Sequence, residues 1–567
     1  MEKIIECVPN FSEGRDHAVI DKIVSSIEKS GGVKILNVDP GEATNRTVVT
    51  FTGAPEDVVE AAFNGVKCAG ELIDMRQHHG AHPRSGATDV LPLIPVAGVT
   101  LEECAELARK LAERIYTELE IPCYCYEAAA FKPERRNLAV CRAGEYEALP
   151  EKMEDTAKAP DFGPGKYTEK TAVSGATNVG ARDFLIAVNF NLNTTSTRRA
   201  NAIAFDVREK GRPAREGNPI TGKIKKDENG KTIMIPGTLK GCKAIGWYID
   251  EYGIAQVSMN ITDINATPLH KAFEEVCRAA AERGVRVTGT EIVGLVPKKS
   301  LIDAGKYFLE KQCRSTGISD EEILKIAVKS MGLDDLKPFD PKEKVIEYMM
   351  ESEEEAAVRE RLIRMTCKGL AYETASESPA PGGGSISAYM GALGAALGTM
   401  VANLSSHKPG WDDRWKEFSD YAEQGQAVMK ELLALVDEDT AAFNKIMAAF
   451  GLPKGTPQEQ EARAAAVEEA TLYATQVPLK TMKAAAKAFP LLKAMAEQGN
   501  PNSVSDAGVG ALAARSAVLG AMLNVRINAA GLKDREAAEK LLDEADAIAA
   551  EAIQAEKDIL VTVNEKI

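Results

Sequence analysis

The chain has 567 residues, 44% of them hydrophobic and 27% charged, with a formal net charge of −15; that length predicts two or three globular domains rather than one core. The negative balance repels phosphate backbones and excludes a nucleic-acid partner, although local Arg and Lys clusters can still hold a small anion. No apolar run reads as long enough to span a bilayer and the start, MEKIIECVPNFSEG, lacks a secretory pattern, so no membrane association and a cytoplasmic location are expected.

Strand-like and helix-like periods alternate through the first third. Lys3 to Cys7 reads as strand, Asp16 to Lys29 as amphipathic helix, Val33 to Val38 and Asn45 to Thr52 as strands, and Glu56 to Ile73 as helix. A His-rich loop follows, then a strand at Val90 to Ile94, a helix at Leu101 to Glu120 and a strand at Pro122 to Tyr126. The order returns downstream: strand Phe184 to Leu192, helix Ser196 to Glu209, hairpin Cys242 to Ile249 with Ile254 to Ile261, helix Pro268 to Arg283, strand Val285 to Ile292. That βαββαβ order is the ferredoxin-like split motif, so the fold expected for the N-terminal half is α+β, two ferredoxin-like subdomains side by side. Gly211 to Gly241 interrupts the second as a long loop or small hairpin. After Pro338 the β-branched runs vanish, and Ala-, Leu-, Glu- and Lys-rich 3.6-residue periods predict an all-α helical bundle. The expected domains are 1–183 and 184–338, a linker at 339–358, and a helical domain at 359–567. Ten cysteines without a CxxC pair read as reduced core thiols rather than a zinc or disulfide framework.

Three histidines, His78, His79 and His82, crowd one loop, RQHHGAHPRSGATDV. His78 and His82 have helical metal-ligand spacing, but Gly80 and Pro83 argue against a helix, and no metal is expected. A loop imidazole suits general acid–base work, and Arg84 suits a carboxylate. Asp39, in a DPG turn, either caps that turn or fixes the tautomer of a nearby base. In PAPGGGS, Pro379 to Ser385 opens a helix with free glycine amides, either a plain turn or an anion cradle. Asn500, Ser505 and Asp506 stand at another helix start, where capping alone explains them. Asp437 and Asp439 diverge on their helix, and the period does not decide which faces inward.

The strings ECVPNFSEG, LIDMRQHHGAHPRSGATDV, RAGEYEALPEK, PDFGPGKY, GATNVGARDFLIAVNFNLN, AIGWYIDE and GLDDLKPFDPKEKVIEY resemble glutamate formimidoyltransferase, in order, through residue 345. The strings ESPAPGGGSISAYMGALGAALG, LVDEDTAAF and GNPNSVSDAGVGA are similar to formimidoyltetrahydrofolate cyclodeaminase. Together they resemble the bifunctional family over essentially the whole chain. The resemblance puts the transferase histidine at His82 and the cyclodeaminase carboxylate at Asp439. It puts a folate stretch at Gly163, Pro164, Gly165, Lys166 and Tyr167 through Gly175, where a few extra residues intervene. It also moves Gly382, Gly383, Gly384, Ser385, Asn500, Ser505 and Asp506 toward a second folate pocket.

The implied chemistry is transfer of a formimino group from N-formimino-L-glutamate to N5 of tetrahydrofolate, then ring closure to the 5,10-methenyl compound with loss of ammonia. Tetrahydrofolate is the cosubstrate, and neither metal nor nucleotide is expected. One imidazole can take and return the transfer proton. Arg46, Arg84 and Arg182 are candidate clamps for substrate carboxylates, with ordinary surface ion pairs as the alternative for each. Lys223, Lys225, Lys226, Lys231 and Lys240 in the insertion are candidates for holding a polyglutamate tail, and Ala-rich helical faces imply a homo-oligomer.

Overall fold

The computed structural model describes residues 3–41, 45–79, 84–163, 165, 167–218, 222–350 and 360–567. His82, Pro164 and Lys166 therefore lie outside the described residues. The chain forms two compact units, one of Met1–Ser300 with Met331–Met350 and one of Leu301–Ser330 with the residues after 350. The boundary read at 338 does not coincide with this division, because the chain from 301 to 330 packs on the helical bundle. There Lys306 pairs with Glu423 at 2.7 Å, the Thr316 amide donates to Ser419 Oγ at 3.0 Å, and Gly317 lies so close to Ala422 that a Cβ would meet it at 2.3 Å.

In the first unit β1 (Ile4–Cys7) and β2 (Asn10–Phe11) are halves of one interrupted strand, both paired antiparallel with β4 (Arg46–Gly53) and β5 (Thr88–Ala97). β3 (Val33–Gly41) forms the outer edge on β4, and β7 (Thr177–Ala181) then β6 (Cys123–Glu127) extend the other side in parallel. The first four strand positions have the ferredoxin-like order, edge–third–first–fourth. Helices α1 (His17–Glu28), α2 (Pro55–Leu72) and α3 (Leu101–Leu119) bury Ile23, Ile27, Val58, Val66, Ala108 and Leu111 against Ile5, Cys7, Phe51 and Leu93. Side-chain capping sets the starts of α1 and α3: Asp16 accepts from Ala18 N, and Thr100 and Glu103 form a reciprocal capping box.

The second subdomain is a four-stranded antiparallel sheet in the order β9 (Cys242–Ile249), β10 (Ile254–Ile261), β8 (Ile186–Leu192), β11 (Val287–Val293). Helices α4 (Thr197–Val207) and α5 (Leu269–Ala281) complete the βαββαβ order. The insertion is the small-hairpin alternative: Arg212–Pro213 pairs with Met234–Ile235, and the five lysines expected to meet a polyglutamate tail are exposed.

The second unit contains α6 (Lys298–Lys311), α7 (Asp320–Met331), α8 (Gly383–Ser406), α9 (Trp415–Phe450), α10 (Pro457–Ala486), α11 (Ala488–Gln498), α12 (Val504–Ala529) and α13 (Arg535–Lys566), with α6 and α7 each starting or ending at its boundary. α8 is the central helix, and its buried Ala388, Ala392 and Ala395 let α9 and α12 approach closely. Two helices, Gly383–Ser406 and Pro501–Ala529, are long and apolar enough to cross a membrane by length and composition. This corrects the reading that no run approached that length: Ala and Gly make both helices apolar, and most of α8 is buried in the bundle core. Six cysteines are buried as expected, but Cys313 and Cys367 are exposed and are not core thiols.

One core position is charged. Glu6 alternates with Ile5 and Cys7, which face the helices, so it points to the opposite side of the sheet, 5% exposed. Burial pushes its carboxyl up to about 7, with Arg182 opposing the shift. A raised folded-state pKa favours folding below the ordinary value of 4.5, and that contribution is lost as pH rises through about 7. Glu6→Gln should therefore be more stable than the parent at pH 8 by ~1–3 kcal/mol and nearly equal to it at acid pH, as read by urea unfolding.

Candidate active site

In the first unit the described residues on both sides of 80–83 are held by a buried polar cluster. Asn45, whose φ of 48° is one that Asn tolerates, ends the β3–β4 connection. Its Oδ1 accepts from Gly14 N at 3.0 Å and its Nδ2 donates to His79 O at 3.1 Å. One carboxamide thus ties the β2–α1 turn to the histidine loop. His78 is buried, with Nε2 at 2.9 Å from Asn45 O and Nδ1 accepting from Arg84 Nε at 3.3 Å. A carbonyl accepts and a guanidinium donates, so the ring carries its proton on Nε2 and keeps Nδ1 bare. Burial pushes its pKa down, consistent with a neutral ring. Both nitrogens are engaged, so His78 is an anchor of the loop rather than a proton carrier or metal ligand. His79 is exposed.

Arg84 lies directly after the loop, 8% exposed, paired with Glu147 at 2.7 Å and Glu145 at 3.1 Å. Its carbonyl accepts from Tyr146 N at 2.9 Å, and Tyr146 OH in turn accepts from Tyr167 OH at 3.3 Å while donating to Ala172 O. Tyr167 and Ala172 are thereby fastened to the histidine loop. At its end Gly175, with φ of 66°, touches Gly86 so closely that a Cβ would fall 2.3 Å from Ser85 O and 2.4 Å from Gly86 Cα. At its start Gly163 has φ of 121°, and Asp161 before it forms a buried 2.6 Å ion pair with Arg135. Gly165 packs against Met153 O, which a Cβ would approach to 2.7 Å. Below the loop, Asp89 accepts from Ser85 N at 3.0 Å and pairs with Arg142. Burial raises its carboxyl pKa against that pairing.

The other first-site residues fall in different places. Arg46 is on β4, half-buried, donating to Asn10 Oδ1, with burial pulling its pKa down. Asp39 does not end its strand, which corrects the turn reading: β3 runs on to Gly41, and Asp39 pairs in register with Val48. Pro40 is tolerated there because β3 is an edge strand. Asp39 is exposed. Arg182 follows β7 at the end remote from Gly175, seven residues and ~20 Å along an extended chain. It donates to Asp183 O at 3.2 Å and lies beside Glu6. The structure does not bring it together with Arg84.

In the second unit a cavity of about 200 Å³ is lined by Gly382, Gly383, Gly384, Asp439, Thr440 and residues of α10 and α12. Asp439 lies at the first turn of α8, where Ser385 Oγ donates to its Oδ2 at 3.0 Å and the Ser385 amide also binds it. A helix N-terminus stabilises an anion there, yet burial dominates and pushes the carboxyl pKa up. The approach needs a glycine: a Cβ on Gly384 would lie 2.1 Å from Asp439 Oδ1. Asp437 is not in this cavity. It accepts from Leu362 N at 2.8 Å and Ile363 N at 3.3 Å, holding the segment before the bundle.

Asn500, Ser505 and Asp506 do not join the glycine turn, which corrects their grouping into one pocket. The Asn500 amide donates to Ser405 Oγ at 2.8 Å, at the opposite end of α8 from Ser385 and ~30 Å along it. α12 runs antiparallel to α8, so a start that resembles a site in sequence is placed at the far end. Asn500 caps a short turn through Asn502 N and lines a separate open cavity of about 710 Å³. The Asp439 cavity is instead completed by two residues that sequence reading missed, Asn524 and Asn528. Their signal was two carboxamides four residues apart, hence on one helix face.

Three family models match in succession: Formiminotransferase domain, N-terminal subdomain, over residues 4–182; Formiminotransferase domain over 187–351; and Formiminotransferase-cyclodeaminase over 366–547. The formimidoyltransferase-cyclodeaminase of Sus scrofa is 43% identical over 535 residues, 94% of this chain and 93% of that one. The glutamate formimidoyltransferase of Streptococcus pyogenes serotype M1 is 42% identical over 310 residues, 55% of this chain and 94% of that one. The methenyltetrahydrofolate cyclohydrolase of Methylorubrum extorquens is 40% identical over 193 residues, 34% of this chain and 93% of that one. With matches running through both compact units and a relative aligned end to end, the chain belongs to the formimidoyltransferase-cyclodeaminase family.

Proposed function

We propose that the chain transfers the formimino group of N-formimino-L-glutamate to N5 of tetrahydrofolate in its first unit, and closes that group onto N10 with release of ammonia in its second. The observation that carries this reading is Asp439, a half-buried carboxyl with a raised pKa, seated in a cavity at the glycine start of α8. In the first step His82 takes the proton of the attacking N5 and returns it to the departing glutamate nitrogen, which needs one imidazole between two nitrogens. Arg84 already has two glutamate partners and serves to hold His78 and the loop. Arg46 and the 163–175 stretch are the substrate contacts in this reading. In the second step N10 attacks the formimino carbon, and Asp439 passes the N10 proton to the nitrogen that leaves. A carboxyl whose pKa burial raises is suited to that exchange.

A second reading, hydrolysis of the methenyl bridge by the helical unit, is favoured by the cyclohydrolase relative of that region. Ammonia separates the two: formiminoglutamate with tetrahydrofolate should yield one ammonia per methenyl chromophore formed. His82→Ala should lower transfer ~10²–10⁴-fold while ring closure of supplied 5-formiminotetrahydrofolate persists, and Asp439→Asn should do the reverse. Loss of both steps from either change would refute two separate sites. Gly384→Ala, by driving a methyl into the carboxylate, should lower ring closure at least as much as a ~10²-fold misplacement does, without touching transfer.

The reading extends to a cytoplasmic homo-oligomer. Supporting it, α8 exposes Leu393, Met400 and Leu404, and α12 exposes Val509, Leu512, Leu523 and Ile527, an apolar face that water would not tolerate cheaply. Light scattering should give a mass above the 60.9 kDa of one chain, and Leu523→Glu with Ile527→Glu should reduce it.

A further inference from the structure

We infer that Asn524 and Asn528 make the second site selective for a formimino group over a formyl group, an inference that rests on the proposed ring closure. Both side chains line the Asp439 cavity. Asn524 Nδ2 donates to Gly520 O at 2.9 Å, and Asn528 Nδ2 donates to Ala474 O at 2.7 Å. A backbone carbonyl only accepts, so these contacts fix which end of each carboxamide is nitrogen. Flipping either amide would set its oxygen against that carbonyl. Each Nδ2 keeps a second N–H, but the oxygen of each carboxamide is fixed pointing away from that carbonyl as an acceptor for a ligand, and the four-residue spacing puts the two residues on one face of α12. Asn524 also packs on the glycine turn, where a Cβ on Gly383 would meet its Nδ2 at 3.2 Å, one residue from Gly384 and two from Ser385, which hold Asp439.

The two candidate groups differ in the hydrogens that they present. A formimino group on N5, N5–CH=NH2⁺, carries two N–H donors and positive charge, matching two acceptors. A formyl group ends in an oxygen with lone pairs only and has no hydrogen to give the two fixed carboxamide oxygens, which are left without a donor. During ring closure the N10–carbon bond forms and the carbon–imino nitrogen bond breaks. The N10 proton travels by way of Asp439 to that nitrogen, and the products are the methenyl cation and neutral ammonia. The two asparagines accept from the N–H groups throughout, so the departing nitrogen is held while it gains its third hydrogen. In reverse, the same acceptors favour addition of ammonia to the methenyl carbon over addition of water, whose hydrogens are lost on the way to formyl.

The full-length enzyme given 5,10-methenyltetrahydrofolate and ammonium chloride reports this as a partition between 5-formimino and formyl products. The parent should favour the formimino product, and Asn524→Leu or Asn528→Leu should lower that ratio about tenfold to a hundredfold, the worth of one charge-assisted hydrogen bond. Transfer from formiminoglutamate should stay at the parent rate. Asn524→Thr should retain most of the ratio, since a threonine hydroxyl can donate to the same carbonyl and still accept; it also carries the test if a leucine variant does not fold. An unchanged ratio in a folded leucine variant, or addition of ammonia and water falling in the same proportion, would overturn the inference while leaving the ring closure standing. A parent enzyme that adds water alone would overturn the ring closure itself.

Discussion

The helical unit is organised by the contact between a carboxylate and a residue that has no side chain. Gly384 lets Asp439 rest on the opening turn of α8, where the Ser385 hydroxyl and amide reach it. Everything else about that cavity follows from α8 being a central helix: α9 brings Asp439 to it, α10 supplies Ala474, and α12 runs antiparallel to deliver its C-terminal asparagines to the same end. The small residues that let these helices close together also make two of the described helices apolar enough to cross a membrane by length and composition.

The first unit solves a different problem, holding a loop that has little regular structure around it. It does so with a chain of hydrogen bonds rather than an apolar contact. Asn45 grips His79 O, His78 bridges Asn45 O to Arg84, and Arg84 is neutralised by Glu145 and Glu147. Because a donor and an acceptor flank His78, its tautomer is decided by its neighbours, leaving His82 to carry protons in the proposed reaction.

Much of the architecture was legible because periods of two and 3.6 residues differ sharply in both halves of the chain. Hairpin Cys242–Ile249 with Ile254–Ile261 was readable to the residue, since its core positions alternate strictly. The break between β1 and β2 was not, because two residues between short strands carry no pattern. Asp39 was misplaced because Pro40 reads as a turn in sequence but is compatible with an edge strand that needs only one partner. For the site, pattern named Asp437 and Asp439 together, and only the packing of the 362–363 backbone against the first separates them. Asn500 and Gly384 both stand near helix starts, and nothing local says that those helices run in opposite directions. Asn524 and Asn528 carried a signal, four-residue spacing, that asparagine's ordinary role in capping and turns obscures.

Gly14 itself touches no substrate in the proposed reaction, yet a Cβ there would lie 2.5 Å from both Arg46 N and Gly41 O, and its amide is the donor that orients Asn45. A methyl at that position would wedge apart the hairpin end and release the carboxamide that grips the histidine loop. Damage to proton transfer can thus originate in a turn that contains no ionisable atom of the site. The chemistry of the first unit is in this sense hinged on a hydrogen standing where any other amino acid has carbon.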